Sequence, residues 1–437
     1  MDARAGSRRD SLHKGTLQLC LAAALTTACV LPTADAQAQG GRWVASWTAS
    51  PQPVWGADFA FPTNIPQSLT NATIRQVARL SLGGGRLRVE LSNAYGERAL
   101  RIGEAHVALA DGGSRIVAGS DRKLTFGGRE EAIIPAGAPL ISDPVDLVVP
   151  ALGSLAITLY LPDETPLTTF HWDGRQTAYM GKGNQVAAQE IVAQGIAPDA
   201  TTGARAFLSA ILVEPQIRAG LVVALGDSIT DGNGVTQDSN QRWTDLLAER
   251  LAPRNVAVVN AGISGARLLS DRMGVNALAR FDRDVLGQPG VKAVILLMGI
   301  NDISWPGTIF APEEKAPSVG TLVAAYRQLI ARARSHGVRI VGATLTPFEG
   351  ALSGTPLEGY YNTEKETLRQ KVNAWMRASG EFDALIDFDA LTRDKSHPTR
   401  LGAIFDSGDH LHPGDRGNKA IADAIDLEAL LGERATP

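Results

Sequence analysis

Two kinds of apolar pattern divide the chain. Residues 41 to about 215 carry short runs at 74–80, 87–91, 107–109, 123–126, 147–149 and 155–161, with turn residues between them and no amphipathic helical stretch. In Leu87-Arg88-Val89-Glu90-Leu91 apolar and charged positions alternate, as in a strand with one buried face and one wet face. Gly83-Gly84-Gly85 between the first two runs predicts a hairpin. Several short strands at this spacing predict an antiparallel β-sandwich, jelly-roll-like, over 41–215. From about residue 219 the runs become continuous, at 221–225, 256–259, 291–298, 338–345 and 384–386, as in strands buried on both faces. Between them, apolar residues recur at helical spacing over 243–251 (Trp243, Leu246, Leu247, Leu251), 278–285, 322–333 and 368–376, and a last such segment spans 420–431. Alternating strands and helices predict an α/β fold over 219–437, a parallel sheet between two helical layers. The boundary falls near Glu214-Pro215, and no repeat of fixed period is present.

The first residues follow neither pattern. Arg4, Arg8, Arg9 and Lys14 precede an apolar run over 17–31 and the small-x-small site Ala34-Asp35-Ala36. This order predicts a signal peptide over 1–36, hence a secreted or periplasmic protein. The apolar run is shorter than the roughly 20 residues that cross a bilayer, and no later run reaches that length, so no integral membrane segment is expected in the mature chain. Ser7-Arg8-Arg9-Asp10-Ser11-Leu12 matches part of a twin-arginine export signal. Both cysteines, Cys20 and Cys29, lie in this leader, so the exported chain would depend on its cores and not on disulfides. With 44% apolar residues, the 437-residue chain can build such cores, and a net charge of -4 argues against a nucleic-acid partner.

Candidate chemistry lies at the ends of the continuous runs. The first leads into Gly226-Asp227-Ser228-Ile229-Thr230-Asp231-Gly232, which places a serine where a helix would begin and where its free N–H groups favour negative charge. Taken alone, such a motif is better explained as a helix cap. The second run leads into Ile263-Ser264-Gly265, and the third into Gly299-Ile300-Asn301-Asp302, whose Asn301 amide could donate to a developing oxyanion. Near the C-terminus stands Asp409-His410-Leu411-His412-Pro413. An aspartate three residues before a histidine can accept from Nδ1–H and fix the tautomer whose Nε2 takes a proton from serine. A metal site on His410 and His412 ranks lower, because no further ligand pair has the right spacing. Gly-x-Ser-x-Gly is absent, and no Gly-x-Gly-x-x-Gly follows a strand.

These four blocks, in this order, closely resemble those of the SGNH hydrolases, also called GDSL esterases and lipases, over residues 219–437. The resemblance implies a flavodoxin-like hydrolase domain acting on carboxylic esters without metal or cofactor. Ser228 would be the nucleophile, His412 its base and Asp409 the residue that orients His412. The oxyanion hole would comprise the N–H groups of Ser228 and Gly265 and the Asn301 amide. The opening stretch, Trp43-Val44-Ala45-Ser46-Trp47-Thr48-Ala49-Ser50-Pro51, resembles secreted bacterial SGNH hydrolases with a preceding β-sandwich, some of them acetylxylan-esterase-like. That likeness implies short acyl esters, with acetylated polysaccharide among the candidate substrates. An acyltransferase with the same triad is one alternative; a carbohydrate-binding protein with a secondary hydrolase domain is another. Trp43, Trp47, Trp55 and Trp172 fit core packing better than sugar stacking. Loops 303–318 and 348–361 carry Trp305, Phe348 and Tyr360, candidates for an acyl-binding wall or for core cover.

Overall fold

The computed structural model describes residues 43–197 and 199–433, so the leader read over 1–36 lies outside the described residues. The N-terminal region is built on antiparallel sheets, the two largest of five and six strands. In the six-stranded sheet, Ala72–Arg79 pairs with Ser154–Leu161 along its whole length, and Glu104–Leu109 lies beyond. In the five-stranded sheet, Gly84–Ser92 lies beside Leu208–Glu214, which in turn pairs with Val44–Thr48. The alternation seen in sequence is real: Leu87, Val89 and Leu91 are buried, while Arg88 and Glu90 between them are only partly so.

Two local expectations fail. No hairpin forms around Gly83-Gly84-Gly85, because Ala72–Arg79 and Gly84–Ser92 belong to different sheets. The glycines serve close backbone approach instead of a turn between paired strands. A Cβ on Gly83 would lie 2.2 Å from the Val149 carbonyl oxygen, and one on Gly84 2.6 Å from that of Glu214. The 123–126 run yields only the two-residue strand Arg122–Lys123, and Phe126 turns back to bridge Arg129.

The C-terminal region holds a five-stranded parallel sheet. Its spatial order is Val256–Gly262, Gly220–Gly226, Val291–Leu297, Arg339–Ala343, Ala384–Ile386. In chain order this is 2-1-3-4-5, the flavodoxin-like order, and the strand direction of travel reverses at the first strand. Right-handed crossovers on either side of that reversal put α2 (Trp243–Leu251) on one face and α3 (Ala277–Phe281), α5 (Val319–Ser335) and α6 (Thr363–Ala378) on the other. Accordingly α2 packs on α8 (Asp415–Ala424), and α5 packs on α3 and α6. The segment read as one helix over 420–431 is two. Ile425 is extended, and the Asp426 carboxylate caps α9 (Leu427–Leu431) by accepting the Ala429 N–H at 3.0 Å.

One hydrophobic core runs through both regions. The edge strand Val256–Gly262 of the parallel sheet is covered by the antiparallel region. Its Val258 N–H donates to Ser81 Oγ at 2.7 Å, and Thr48 Oγ1 donates to the Asn260 carbonyl at 2.8 Å. Among the described residues no helix is long and apolar enough to cross a membrane.

Candidate active site

The strand Gly220–Gly226 ends at the point where strand order reverses, and the short helix α1 (Ser228–Asp231) starts there. Asp227 is its cap: the backbone is extended and the carboxylate accepts the Ile229 N–H at 3.1 Å. Ser228 is therefore the first helical residue, with its side chain facing the loops beyond the sheet.

His412 Nε2 lies 2.8 Å from Ser228 Oγ, and its Nδ1 lies 2.5 Å from Asp409 Oδ2. The other Asp409 oxygen accepts the N–H groups of Leu411 at 2.9 Å and His412 at 2.8 Å. Burial pushes the Asp409 carboxyl up, but its bond to His412, the imidazole charge and those two N–H groups outweigh burial and hold it well below the usual carboxylate range. An ionised Asp409 accepts a hydrogen bond from Nδ1–H and leaves the Nε2 lone pair facing the serine. His410 makes a separate pair. It is in the left-handed region at φ 61°, is largely exposed, and its Nδ1 lies 2.6 Å from Asp406 Oδ2. His412 rather than His410 is the histidine beside Ser228.

Gly265 and Asn301 meet at the same floor. Gly265 has φ 74°, and a Cβ there would stand 2.3 Å from Met273 Sδ and 3.0 Å from the Trp305 ring. Asn301 sits in α4 (Ile300–Ser304), directly after the third parallel strand. One of its amide protons goes to the Ala266 carbonyl at 3.0 Å, and its Oδ1 accepts from the Tyr360 hydroxyl at 2.7 Å. The second amide proton is left for the cavity. Tyr360 is fully buried, and burial pushes its phenol well above its ordinary range, so it stays a donor. Lys365 holds the same two segments together, with Nζ donating to the carbonyls of Ser304 at 2.7 Å and Gly359 at 2.6 Å. Burial brings this ammonium down to about 8. Asp302 accepts the N–H groups of Leu268 and Leu269 at 2.7 and 2.9 Å and so ties the Gly265 loop to α4; burial pushes its carboxyl up to about 6.

Above this floor lies a cavity of ≈ 370 Å³ whose lining includes Ser228, Gly265, Asn301, Asp409 and His412. The rest of its wall is mostly apolar, and among the described residues no charged side chain other than Asp409 and His412 lines it. Of the three loop aromatics, Trp305 and Tyr360 line it and Phe348 does not. Phe348 is fully buried behind Tyr360, edge-on at 6.2 Å and 82°, where it packs the loop and meets no ligand. Two lining residues, Phe61 and Trp172, come from the antiparallel region, with rings 5.9 Å apart and nearly parallel at 7°. Trp55 Nε1 donates to the Phe61 carbonyl at 2.8 Å, and Trp172 Nε1 to the Pro62 carbonyl at 3.0 Å, which pins this segment over the cavity. Trp47 is buried in the core. Phe61 carried no signal in the sequence; the only hint was the density of tryptophans around it.

Residues 222–425 match the family model of the GDSL-like lipases and acylhydrolases. Among solved structures, the M. smegmatis aryl esterase is 17% identical, with 49% of this chain and 100% of that chain covered at a TM-score of 0.39. A carbohydrate acetylesterase family member from Sinorhizobium meliloti is 16% identical, covering 49% and 99% at 0.37. The acetyl xylan esterase AlAXEase is 20% identical, covering 47% and 96% at 0.33. No curated protein matches the sequence. Residues 222–425 thus carry the GDSL-like lipase/acylhydrolase domain, the domain of a carboxylic ester hydrolase.

Proposed function

We propose that this enzyme hydrolyses small neutral esters through an acyl-serine intermediate. The observation that carries the reading is the unbroken hydrogen-bonded chain Asp409–His412–Ser228 at the floor of a cavity that also holds Gly265 and Asn301. Ser228 Oγ attacks the ester carbonyl as His412 Nε2 takes its proton. The negative oxygen is held by the N–H groups of Ser228 and Gly265 and by the free proton of the Asn301 amide. His412 gives its proton to the departing alkoxide, which leaves the acyl group on Ser228. A water then attacks the acyl carbonyl, gives a proton to His412, and expels Ser228 as that proton returns to Oγ. The result is a free acid, an alcohol and the starting enzyme. Asp409 stabilises the imidazolium that forms in each half.

The substrate class follows from the wall. A cavity of ≈ 370 Å³ without charged side chains beyond the triad suits a short acyl group on an uncharged alcohol. The near-parallel rings of Phe61 and Trp172 offer a face on which a sugar ring can stack, so acetyl groups on a polysaccharide are the proposed natural target. The leader over 1–36 supports export, as such a target requires. The two large antiparallel sheets over 41–215, which share one core, support a β-sandwich preceding the hydrolase region at 219–437.

The test is the purified chain with p-nitrophenyl acetate. A burst of p-nitrophenol and an acetyl group on Ser228, located by mass spectrometry, are expected. Ser228→Ala should lose both while remaining folded; a variant that still turns over would overturn the assignment. Acetate release from acetylated xylan, set beside p-nitrophenyl esters of increasing chain length, reads the acyl and alcohol preferences.

A further inference from the structure

His171 lies on the short strand Thr169–His171 of the antiparallel region and is buried. Its Nδ1 is 3.1 Å from the Ser50 carbonyl oxygen, and its Nε2 is 2.9 Å from Asp231 Oδ1. Both partners are acceptors. A neutral imidazole has one N–H and can satisfy only one of them, so the ring must carry a proton on each nitrogen. Asp231 ends the helix that Ser228 begins, and it too is buried. Its second oxygen accepts from both the N–H and the hydroxyl of Ser264, each at 2.8 Å. Ser264 directly precedes Gly265. A single carboxylate thus joins the helix of the nucleophile to the loop of an oxyanion donor, and the cation that answers it comes from the other region of the molecule.

Resting on the function proposed above, we propose that His171 is a positioning residue for the oxyanion hole: as an imidazolium it fixes Asp231, which fixes Ser264 and hence the Gly265 N–H. The hydrolase region would then be catalytically incomplete without the antiparallel region. Among the described residues, the charged groups that act on the pair have partners of their own. Asp173 adds to the acidic side and faces Arg175 at 3.5 Å; Arg242 is engaged by Asp245 at 2.7 Å. Arg280 is engaged by Asp284 at 2.9 Å and donates to the carbonyls of Gly226 and Ala261, so it does not replace His171. Burial opposes the charge on His171, but Asp231 and the Ser50 carbonyl outweigh it and raise the imidazole above its ordinary range. Neighbouring contacts hold the same strut. The Trp172 N–H donates to Gln52 Oε1 at 2.7 Å, and Gln52 Nε2 donates to the Met273 carbonyl beside the cavity.

The test uses the full chain with His171→Ala, His171→Gln and Ser264→Ala. Active sites are counted by phosphorylation of Ser228 with p-nitrophenyl diethyl phosphate, which loses p-nitrophenolate and whose phosphoryl oxygen needs the same donors. His171→Ala should lower kcat per active site by about 10–100-fold, a fraction of what deleting an oxyanion donor costs, with KM for p-nitrophenyl acetate within about twofold. The phosphorylation rate should fall in parallel, and His171→Gln, which keeps a donor but not the charge, should recover part of both. Combined with Ser264→Ala, the loss should be smaller than the product of the single losses. A merely structural role would lower the melting temperature and the number of active sites but leave kcat per site and the phosphorylation rate near wild type, and that result would overturn the inference. Should neither variant fold, nitrogen-15 NMR of the wild-type histidines decides: a His171 ring protonated on both nitrogens above pH 7 supports it, and a neutral ring sinks it. Failure here with Ser228 still essential leaves the hydrolase assignment standing; turnover without Ser228 overturns both.

Discussion

The two regions reach one cavity by different routes. In the parallel region the groups at the floor arrive in chain order from consecutive strand ends: Ser228 after the first strand, Gly265 after the second, Asn301 after the third. Backbone topology places them, and the side chains have only to be of the right kind. The antiparallel region contributes through packing. Phe61 and Trp172 are held over the cavity by indole N–H bonds from Trp55 and Trp172, and His171 reaches Asp231 through the interior. Chemistry concentrates where a parallel sheet reverses its order, and specificity can be supplied by any surface that packs against that point.

After the nucleophile itself, Asn301 gives the largest expected effect on the parallel side. Asn301→Ala should lose roughly 10²–10³ in kcat with little change in KM, as expected when an oxyanion donor is removed. Asn301→Asp should lose more, because it sets a carboxylate where negative charge develops; equal activities would mean that the amide does not face the oxyanion. Tyr360→Phe keeps the ring but frees Asn301 Oδ1, so about tenfold in kcat is expected, from a single hydrogen bond lost in a buried site. Both are read from steady-state kinetics on p-nitrophenyl acetate.

A smaller and differently shaped effect is expected on the antiparallel side. Trp172→Ala and Phe61→Ala remove wall area without touching the reacting atoms. KM should rise by about tenfold on bulky or sugar-linked esters, kcat should stay within about threefold, and p-nitrophenyl acetate should hardly notice. If kcat collapses instead while KM holds, the division between a floor that reacts and a wall that selects is wrong.

The same contrast explains what could be read from the chain. Continuous apolar runs gave the five parallel strands, and each of Ser228, Gly265, Asn301 and His412 stood in a recognisable block next to one of them or to a helix start. Asp406-His410 and Asp409-His412 both make close pairs, and it is the second that lies beside Ser228. Phe348 and Tyr360 look alike in sequence, yet one is packing and the other holds the Asn301 amide. The hairpin failed because a glycine run signals close approach as readily as a turn. Phe61 and His171 were invisible for a plainer reason: each acts on a segment far away in the chain, and no local pattern records such a meeting.

The finest test compares the two acids at the ends of α1. Asp231 is answered by His171 from the other region. Asp227, fully buried, has one oxygen on the Ile229 N–H and the other without a hydrogen-bond partner among the described residues. Burial therefore pushes the Asp227 carboxyl up to about 7. An unfolded aspartate ionises near pH 4, so between about pH 4 and 7 the folded chain binds a proton that the unfolded chain has released. The stability tied to that proton is complete below pH 4 and is lost as pH rises through 7. Asp227→Asn cannot ionise, so it lacks this loss, although its amide still lacks a partner. The melting temperature of the variant minus that of the wild type should therefore shift in the variant's favour by a few degrees between pH 5 and pH 8. A difference that stays constant with pH would mean that Asp227 is already ionised throughout, and that the lone acid beside the nucleophile has an answering charge just as Asp231 does.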